Sequence, residues 1–307
     1  MTAVDCLSCD DERLAGATFC EACGRRLVTC AHCGGGVGDD GYCESCGMLA
    51  ERPNDHLEID LGEAGGAVTD RGLRHHRNED AVFMTARGAD VDLVVCDGVS
   101  SSSHPDKASA AAVASAGALL PSADPAAAVA AAAGAVAELG SSSDAPACTI
   151  VAATLRGSSV AFAWVGDSRA YFVPLDGPAE QLTEDDSWAR HAVAMGADPS
   201  TAMLDPKAHA ITAWLGADAG PVRPHSGTFE VRAPGHLVLC SDGLWNYLTG
   251  PDEFAEAVRD ALTGFNCIAA ARSLTDLAKE RGGADNITVA LVPVNMAPEG
   301  GSRGVHR

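Results

Sequence analysis

Val91-Asp-Leu-Val-Val-Cys-Asp97-Gly98 reads as a buried strand with a carboxylate at its mouth. A short apolar run with β-branched residues is a strand signal, and the Gly beside the Asp marks where the chain leaves the sheet. The pattern recurs in Ala161-Phe-Ala-Trp-Val-Gly-Asp167-Ser168 and His236-Leu-Val-Leu-Cys-Ser-Asp242-Gly243, and in reverse where Gly283-Ala-Asp285-Asn286 opens Ile287-Thr-Val-Ala-Leu-Val292. Carboxylates carried on several strand ends can converge on one rim, and a cluster of like charges there needs a cation. Oxygen-only ligands select hard divalent ions, Mg²⁺ or Mn²⁺, over zinc or copper. The pattern implies a metal-dependent reaction on an anionic substrate.

Around these corners the chain alternates strands with helix pairs. Two Ala-rich segments, about 105–119 and 125–139, read as helices, with Pro125 placed to start the second. Strands return at Thr149-Ile-Val-Ala-Ala-Thr-Leu155, Val160–Val165 and Arg169–Val173. A strand at Leu237–Cys240, helices around 252–262 and 266–281, and a last strand from Ile287 complete the body. Such a succession points to a layered α+β architecture.

Composition bounds the partners. A net charge of −21 over 307 residues argues against a nucleic-acid or anionic-membrane binder, both of which need a basic surface. The most apolar stretch, 126–137, is too short and Ala-rich for a spanning helix. The first residues lack the basic and apolar regions of a secretory signal, so the expected location is the cytoplasm.

Eight of the twelve cysteines fall in residues 1–50, as four CxxC pairs: Cys6/Cys9, Cys20/Cys23, Cys30/Cys33 and Cys43/Cys46. The halves repeat, ending in Phe19-Cys-Glu-Ala-Cys-Gly24 and Tyr42-Cys-Glu-Ser-Cys-Gly47. Two such knuckles close a tetrahedral zinc site, so the head is expected to hold two Zn²⁺ ions, both structural because no coordination position stays open. The head resembles the double zinc ribbon appended to many bacterial proteins. Residues 1–50 carry eight acidic side chains against three arginines, a poor phosphate-backbone binder. A protein-docking or regulatory role fits better. Cys96, Cys148, Cys240 and Cys267 lie mostly in apolar runs and read as core.

The order of landmarks is specific. Thr69-Asp-Arg-Gly72, Arg77-Asn-Glu-Asp80, Val95-Cys-Asp-Gly98, Trp164-Val-Gly-Asp-Ser-Arg-Ala-Tyr171, Leu182-Thr-Glu-Asp-Asp-Ser187, Ile211-Thr-Ala-Trp-Leu-Gly216, Leu239-Cys-Ser-Asp-Gly-Leu-Trp245 and Gly283-Ala-Asp-Asn-Ile-Thr288 follow one another. This resembles the metal-dependent serine/threonine protein phosphatases of type 2C, over roughly residues 63–295. The resemblance implies an antiparallel β-sandwich with a helix pair on each outer face and a flap at 187–210. It divides the chain into a zinc-ribbon head (1–50), a polar linker (51–62), the phosphatase domain (63–295) and a disordered tail (296–307).

The resemblance also implies roles. Asp97 would bridge two Mn²⁺ or Mg²⁺ ions, with the Gly98 carbonyl on one of them. Asp242 and Asp285 would complete the other, Asp80 would hold waters of the first, and Asp167 would serve a third, weaker site. A water shared by the cations would attack phosphorus in line, with phosphorylated proteins, products of serine/threonine kinases, as substrates.

Three departures stand out. His75 occupies the position of the family's phosphate-gripping Arg, so His75, Arg74 or Arg77 is left to hold the phosphate. Val99-Ser100-Ser101 follows Asp97-Gly98 where many members have a His or Met and two glycines, which removes a general acid offered in some members. Asp186 replaces the usual His at the base of the flap. A catalytically weak scaffold that binds phosphoproteins is the alternative reading, favoured by His75.

Overall fold

The structure is a computed structural model that describes residues 6, 8–9, 19–24, 27–30, 32–38, 41–50, 52–264 and 266–295. Two antiparallel six-stranded sheets face each other. One runs β1 (His56–Asp60), β2 (Gly66–Asp70), β12 (Ile287–Val294), β11 (Gly235–Cys240), β7 (Arg169–Pro174), β8 (Glu180–Gln181) in spatial order. The other runs β10 (His225–Glu230), β6 (Ser159–Val165), β5 (Ala147–Arg156), β4 (Asp90–Gly98), β3 (Ala81–Arg87), with β9 (Leu215–Gly216) on β5.

The continuous apolar run of β4 follows from burial on both faces. Leu93 and Val95 point between the sheets, among Val151, Phe162, Leu239 and Val292. Val94 and Cys96 point outward under α1 (Pro105–Leu119) and α2 (Pro125–Ala137). Small side chains let these helices settle closely, with Ala108, Ala112, Ala128 and Ala132 fully buried. On the opposite outer face α6 (Pro251–Leu262) and α7 (Cys267–Glu280) cover the β12–β11–β7 surface through Phe254, Val258, Ile268 and Leu274. The expected α+β sandwich with a helix pair on each face is what the chain forms.

Two details depart from expectation. The join at 51–62 is not merely a polar linker. His56–Asp60 is strand β1, paired with β2 through His56↔Asp70 to Asp60↔Gly66. Its burial is low because it is an edge strand with an exposed face, which is why its polar sequence hid it. Asp92 interrupts the apolar run of β4 and is fully buried, where Arg87 (2.6 Å) and Arg156 meet its carboxylate.

Between β8 and β9 lies the segment expected as a flap. It carries α3 (Trp188–Ala194) and α4 (Pro199–Met203), closed over a small cluster of Ala189, Ala202 and Ala208. A short α5 (Asp242–Trp245) follows β11. Among the described residues no helix is long and apolar enough to cross a membrane. The tail at 296–307 lies outside the described residues.

Candidate active site

Antiparallel pairing brings the sequence-predicted carboxylates to one end of the sandwich. Asp97 is the penultimate residue of β4 and pairs with Thr149 at the start of β5. Asp167 occupies the β6–β7 turn, Asp242 begins α5 just past β11, and Asp285 precedes β12 by two residues. Asp80 stands immediately before β3, its carboxylate reaching across to the other sheet. Its Oδ2 accepts hydrogen bonds from Ser241 Oγ (2.8 Å) and Thr288 Oγ1 (2.7 Å). Behind them Asn78 Nδ2 donates to Thr69 Oγ1 (2.8 Å), and Thr69 Oγ1 lies 2.7 Å from Thr288 Oγ1. With its proton given to Asp80, Thr288 can only accept from Thr69, so one directed chain of hydroxyls ends on the carboxylate.

The rim is electrostatically unsettled without cations. Burial, and then the charges of Asp80, Asp242, Asp167 and Asp285, push the Asp97 carboxyl well above its usual range. Burial raises Asp80 to about 7 despite its two hydroxyl donors, with Asp285 and Asp242 adding to the rise. Asp242 rises to about 6 through burial and Asp285, although Asn246 Nδ2 donates to its Oδ2 (3.1 Å). Asp167 rises to about 8 through burial and the nearby Asp242 and Asp185. Asp80 Oδ1 and Asp242 Oδ1 are buried with no hydrogen-bond partner. Buried acceptors left unpaired are rare and call for an explanation. An all-oxygen set holding two such atoms fits hard divalent cations.

Close packing fixes the backbone here. A Cβ on Gly98 would stand 2.6 Å from the Glu79 carbonyl oxygen, so only Gly lets the β4 exit lie against the Asn78-Glu79-Asp80 segment.

The phosphate-facing candidates separate. His75 Nε2 lies 3.2 Å from Asp285 Oδ1 and its Nδ1 4.0 Å from Glu79 Oε2, directly on the rim. Arg77 Nη1 is turned to Asp106 Oδ2 at 3.6 Å. Arg74 is exposed, with no ion pair among the described residues.

The profile of the family described as "Protein phosphatase 2C" matches residues 71–279. The chain belongs to the protein phosphatase 2C family. It is 31% identical over 239 residues to the serine/threonine protein phosphatase PstP of Mycobacterium tuberculosis, covering 74% of this chain and 44% of that protein. With the serine/threonine phosphatase stp of Listeria innocua the identity is 34% over 153 residues, covering 50% of this chain and 58% of that protein. The chain thus spans about half the length of these curated relatives. Among solved structures, the serine/threonine phosphatase of S. agalactiae superposes with a TM-score of 0.64 at 29% identity, covering 75% of this chain and 98% of that one. The catalytic domain of PstP, solved in complex with two manganese ions, gives 0.58 at 27% identity, covering 78% and 99%.

Two residues at this rim, Asn286 and Arg169, have no role assigned from the sequence, and Asp186 stands there only as a departure at the flap base. Asn286 accepts from Glu79 N–H (2.8 Å) and donates to the carbonyls of Arg71 (2.8 Å) and Arg77 (2.9 Å). It clips both ends of the loop that carries His75. Arg169 forks onto Asp185 (2.8 and 2.6 Å) and stacks over Trp245, whose indole donates to the Asp167 carbonyl (3.0 Å). Asp186 accepts from Gly166 N–H and from His225 Nε2, both at 2.9 Å, and so ties the flap base to the Asp167 turn. The one signal available was position: each stands within two residues of a carboxylate or turn already singled out.

The head contains two four-cysteine groups, Cys6/Cys9/Cys20/Cys23 and Cys30/Cys33/Cys43/Cys46, each with its ligand atoms within 4.8 Å of one another. Sulfurs lie 3.4–3.7 Å apart across the knuckles, far too long for disulfides. Tetrahedral zinc with Zn–S of about 2.3 Å sets its sulfurs about 3.8 Å apart, so the groups fit that ion. Gly24, Gly34 and Gly47 close the knuckles at φ near +71°, which a Cβ would oppose. The other four cysteines are buried and unpaired.

Proposed function

We propose that the chain is a Mn²⁺- or Mg²⁺-dependent phosphatase hydrolysing phosphoserine and phosphothreonine in proteins, the products of serine/threonine kinases. The observation that carries this reading is the pair of buried, unpartnered oxygens, Asp80 Oδ1 and Asp242 Oδ1, in a rim shared with Asp97 and Asp285. Two cations bound there would neutralise a phosphate dianion and acidify a water held between them. Asp97 is assigned to bridge them, with the Gly98 carbonyl on one side and Asp242 and Asp285 on the other. Asp80, oriented by Ser241 and Thr288, is assigned to the hydration of the first, and Asp167 to a third, weaker site. His75 is assigned to a phosphate oxygen because its Nε2 lies on the rim, 3.2 Å from Asp285 Oδ1, with Arg74 next to it in the chain. No serine or cysteine is needed as a nucleophile.

Each four-cysteine group is assigned one structural Zn²⁺, and the acidic head is assigned to docking a protein partner rather than nucleic acid. Thiolate sites need a reducing compartment, so the cytoplasm is the location this reading expects.

The test is hydrolysis of p-nitrophenyl phosphate and a phosphothreonine peptide by wild type and Asp242→Asn, with and without Mn²⁺. Turnover that requires Mn²⁺ and disappears in Asp242→Asn is expected. Wild type without metal-dependent turnover would remove the enzyme reading and leave the phosphoprotein-binding scaffold, which His75 in place of an Arg favours.

A further inference from the structure

The second cysteine knuckle reaches the phosphate-facing loop. The Tyr42 hydroxyl lies 3.0 Å from His76 Nδ1, and the two rings meet edge to face at 5.7 Å. Tyr42 directly precedes Cys43, and His76 directly follows His75. The approach is supported nearby: the Arg52 guanidinium lies against Gly41, Arg52 N–H donates to Asp55 Oδ2 (2.9 Å), and Arg71 N–H donates to the Asp55 carbonyl (2.7 Å). A continuous run of contacts therefore joins the knuckle to the start of the loop.

The loop needs such support at its tip. Its two ends are fixed by Asn286 on the carbonyls of Arg71 and Arg77 and by Leu73 N–H on the Gly283 carbonyl (2.9 Å). Between them, side chains do the holding: His75 on Asp285, and His76 on Tyr42. The repeat sharpens the point. The position before the corresponding Cys is Phe19 in the first knuckle pair and Tyr42 in the second. The hydroxyl that reaches His76 exists only in the half that sits at the active-site rim.

We propose that Tyr42 is a positioning residue, and that a metal-loaded second cysteine site holds the His75–His76 tip in the geometry that grips phosphate. This rests on the phosphatase reading above. Closing the Cys30/Cys33/Cys43/Cys46 site fixes the backbone of Tyr42, its hydroxyl fixes His76, and His75 is thereby held over Asp285. The second ribbon then tunes substrate affinity, while the carboxylate centre and the bond-breaking step are untouched.

The experiment uses the full chain as wild type, Tyr42→Phe, Phe19→Tyr, Cys46→Ser and the Tyr42→Phe/Cys46→Ser double variant. Steady-state constants for a phosphothreonine peptide with Mn²⁺ are read beside the His76 ring signals by NMR. One hydrogen bond corresponds to a KM rise of about 2- to 10-fold in Tyr42→Phe, with kcat within about twofold. Cys46→Ser is expected to raise KM as much, and the double variant no further, because both act through one contact. Phe19→Tyr is expected to match wild type. The His76 ring signals should shift in Tyr42→Phe. An unchanged KM in Tyr42→Phe, a fall confined to kcat, or additive effects in the double variant would overturn the proposal. If wild type shows no turnover, the phosphatase reading fails instead. The NMR arm then still decides the contact, and unmoved His76 signals in Tyr42→Phe would overturn it.

Discussion

Replacing Thr288 with Val keeps the branched shape of a fully buried side chain and removes one hydroxyl. That hydroxyl donates to Asp80 Oδ2 at 2.7 Å and stands 2.7 Å from Thr69 Oγ1. A hydrogen bond to an ionised group is worth about 1.5–3 kcal/mol, or roughly 10- to 150-fold in a binding constant. Ser241 Oγ, 2.8 Å from the same oxygen, keeps Asp80 partly oriented, which places the effect at the low end. Mn²⁺ affinity is expected to fall about 10- to 30-fold, within the range seen when a group supporting a metal ligand is lost. The Thr69 hydroxyl also loses its acceptor inside the protein, which costs stability by about 1–3 kcal/mol. Calorimetric titration of Mn²⁺ into metal-free protein measures the first effect and urea unfolding the second. A folded Thr288→Val protein with Mn²⁺ affinity within about twofold of wild type would refute the idea that this hydroxyl chain prepares Asp80 for a cation.

Three further outcomes are expected. His75→Ala should raise KM about tenfold with a smaller change in kcat, the loss of one charge-assisted contact. If its kinetics match wild type, Arg74 or Arg77 grips the phosphate, and Arg74→Ala separates those two. Asp92→Ala should destabilise the fold by about 2–3 kcal/mol in urea unfolding, below the ~3–5 kcal/mol of an enclosed pair. The discount follows from Arg87 and Arg156, which are 41% and 33% exposed and can turn to water. His56 is opposed by burial, but its hydrogen bonds to Asp70 and Glu58 outweigh this and raise its pKa. A raised folded pKa stabilises fully below about 6.5 and fades as pH rises through the folded value. His56→Ala should therefore cost up to about 1 kcal/mol near pH 5–6 and almost nothing near pH 9.

The sequence was most legible where a carboxylate interrupts an apolar run. Asp97 and Asp242 stand out because the strands beside them are buried on both faces, so their composition carries an unmistakable signal. Strand β10, His-Ser-Gly-Thr-Phe-Glu, gave no such signal, because an edge strand with one wet face has little to bury. Strand β1 was hidden for the same reason. Ser241, Thr288 and Asn286 were illegible for another cause: a hydroxyl or amide acquires its role only from a partner far along the chain. Asp80 and Thr288 are 208 residues apart, and no local pattern links them. The His75 substitution was visible as a departure, yet its place over Asp285 required the structure, since Arg74 and Arg77 flank it in the chain.

The hydroxyl contacts carry one more consequence. Asp80 belongs to the sheet of β3 and β4, whereas Ser241 and Thr288 follow β11 and begin β12 of the opposite sheet. Asp97 comes from the first sheet, Asp242 and Asp285 from the second. Cations held by this set would join the two layers at the end where carboxylates otherwise repel one another. Metal binding should therefore stabilise the whole sandwich. At 100 times its Kd a ligand specific to the folded state adds about 2.7 kcal/mol. For a domain of this size that raises Tm by roughly 5–10 °C, at 2–4 °C per kcal/mol. Thermal melts with and without Mn²⁺ measure the shift, and Asp242→Asn should lose most of it. A variant that keeps the full shift while losing Mn²⁺-dependent turnover would place the stabilising cation elsewhere, and the two-sheet rim would then not be its seat.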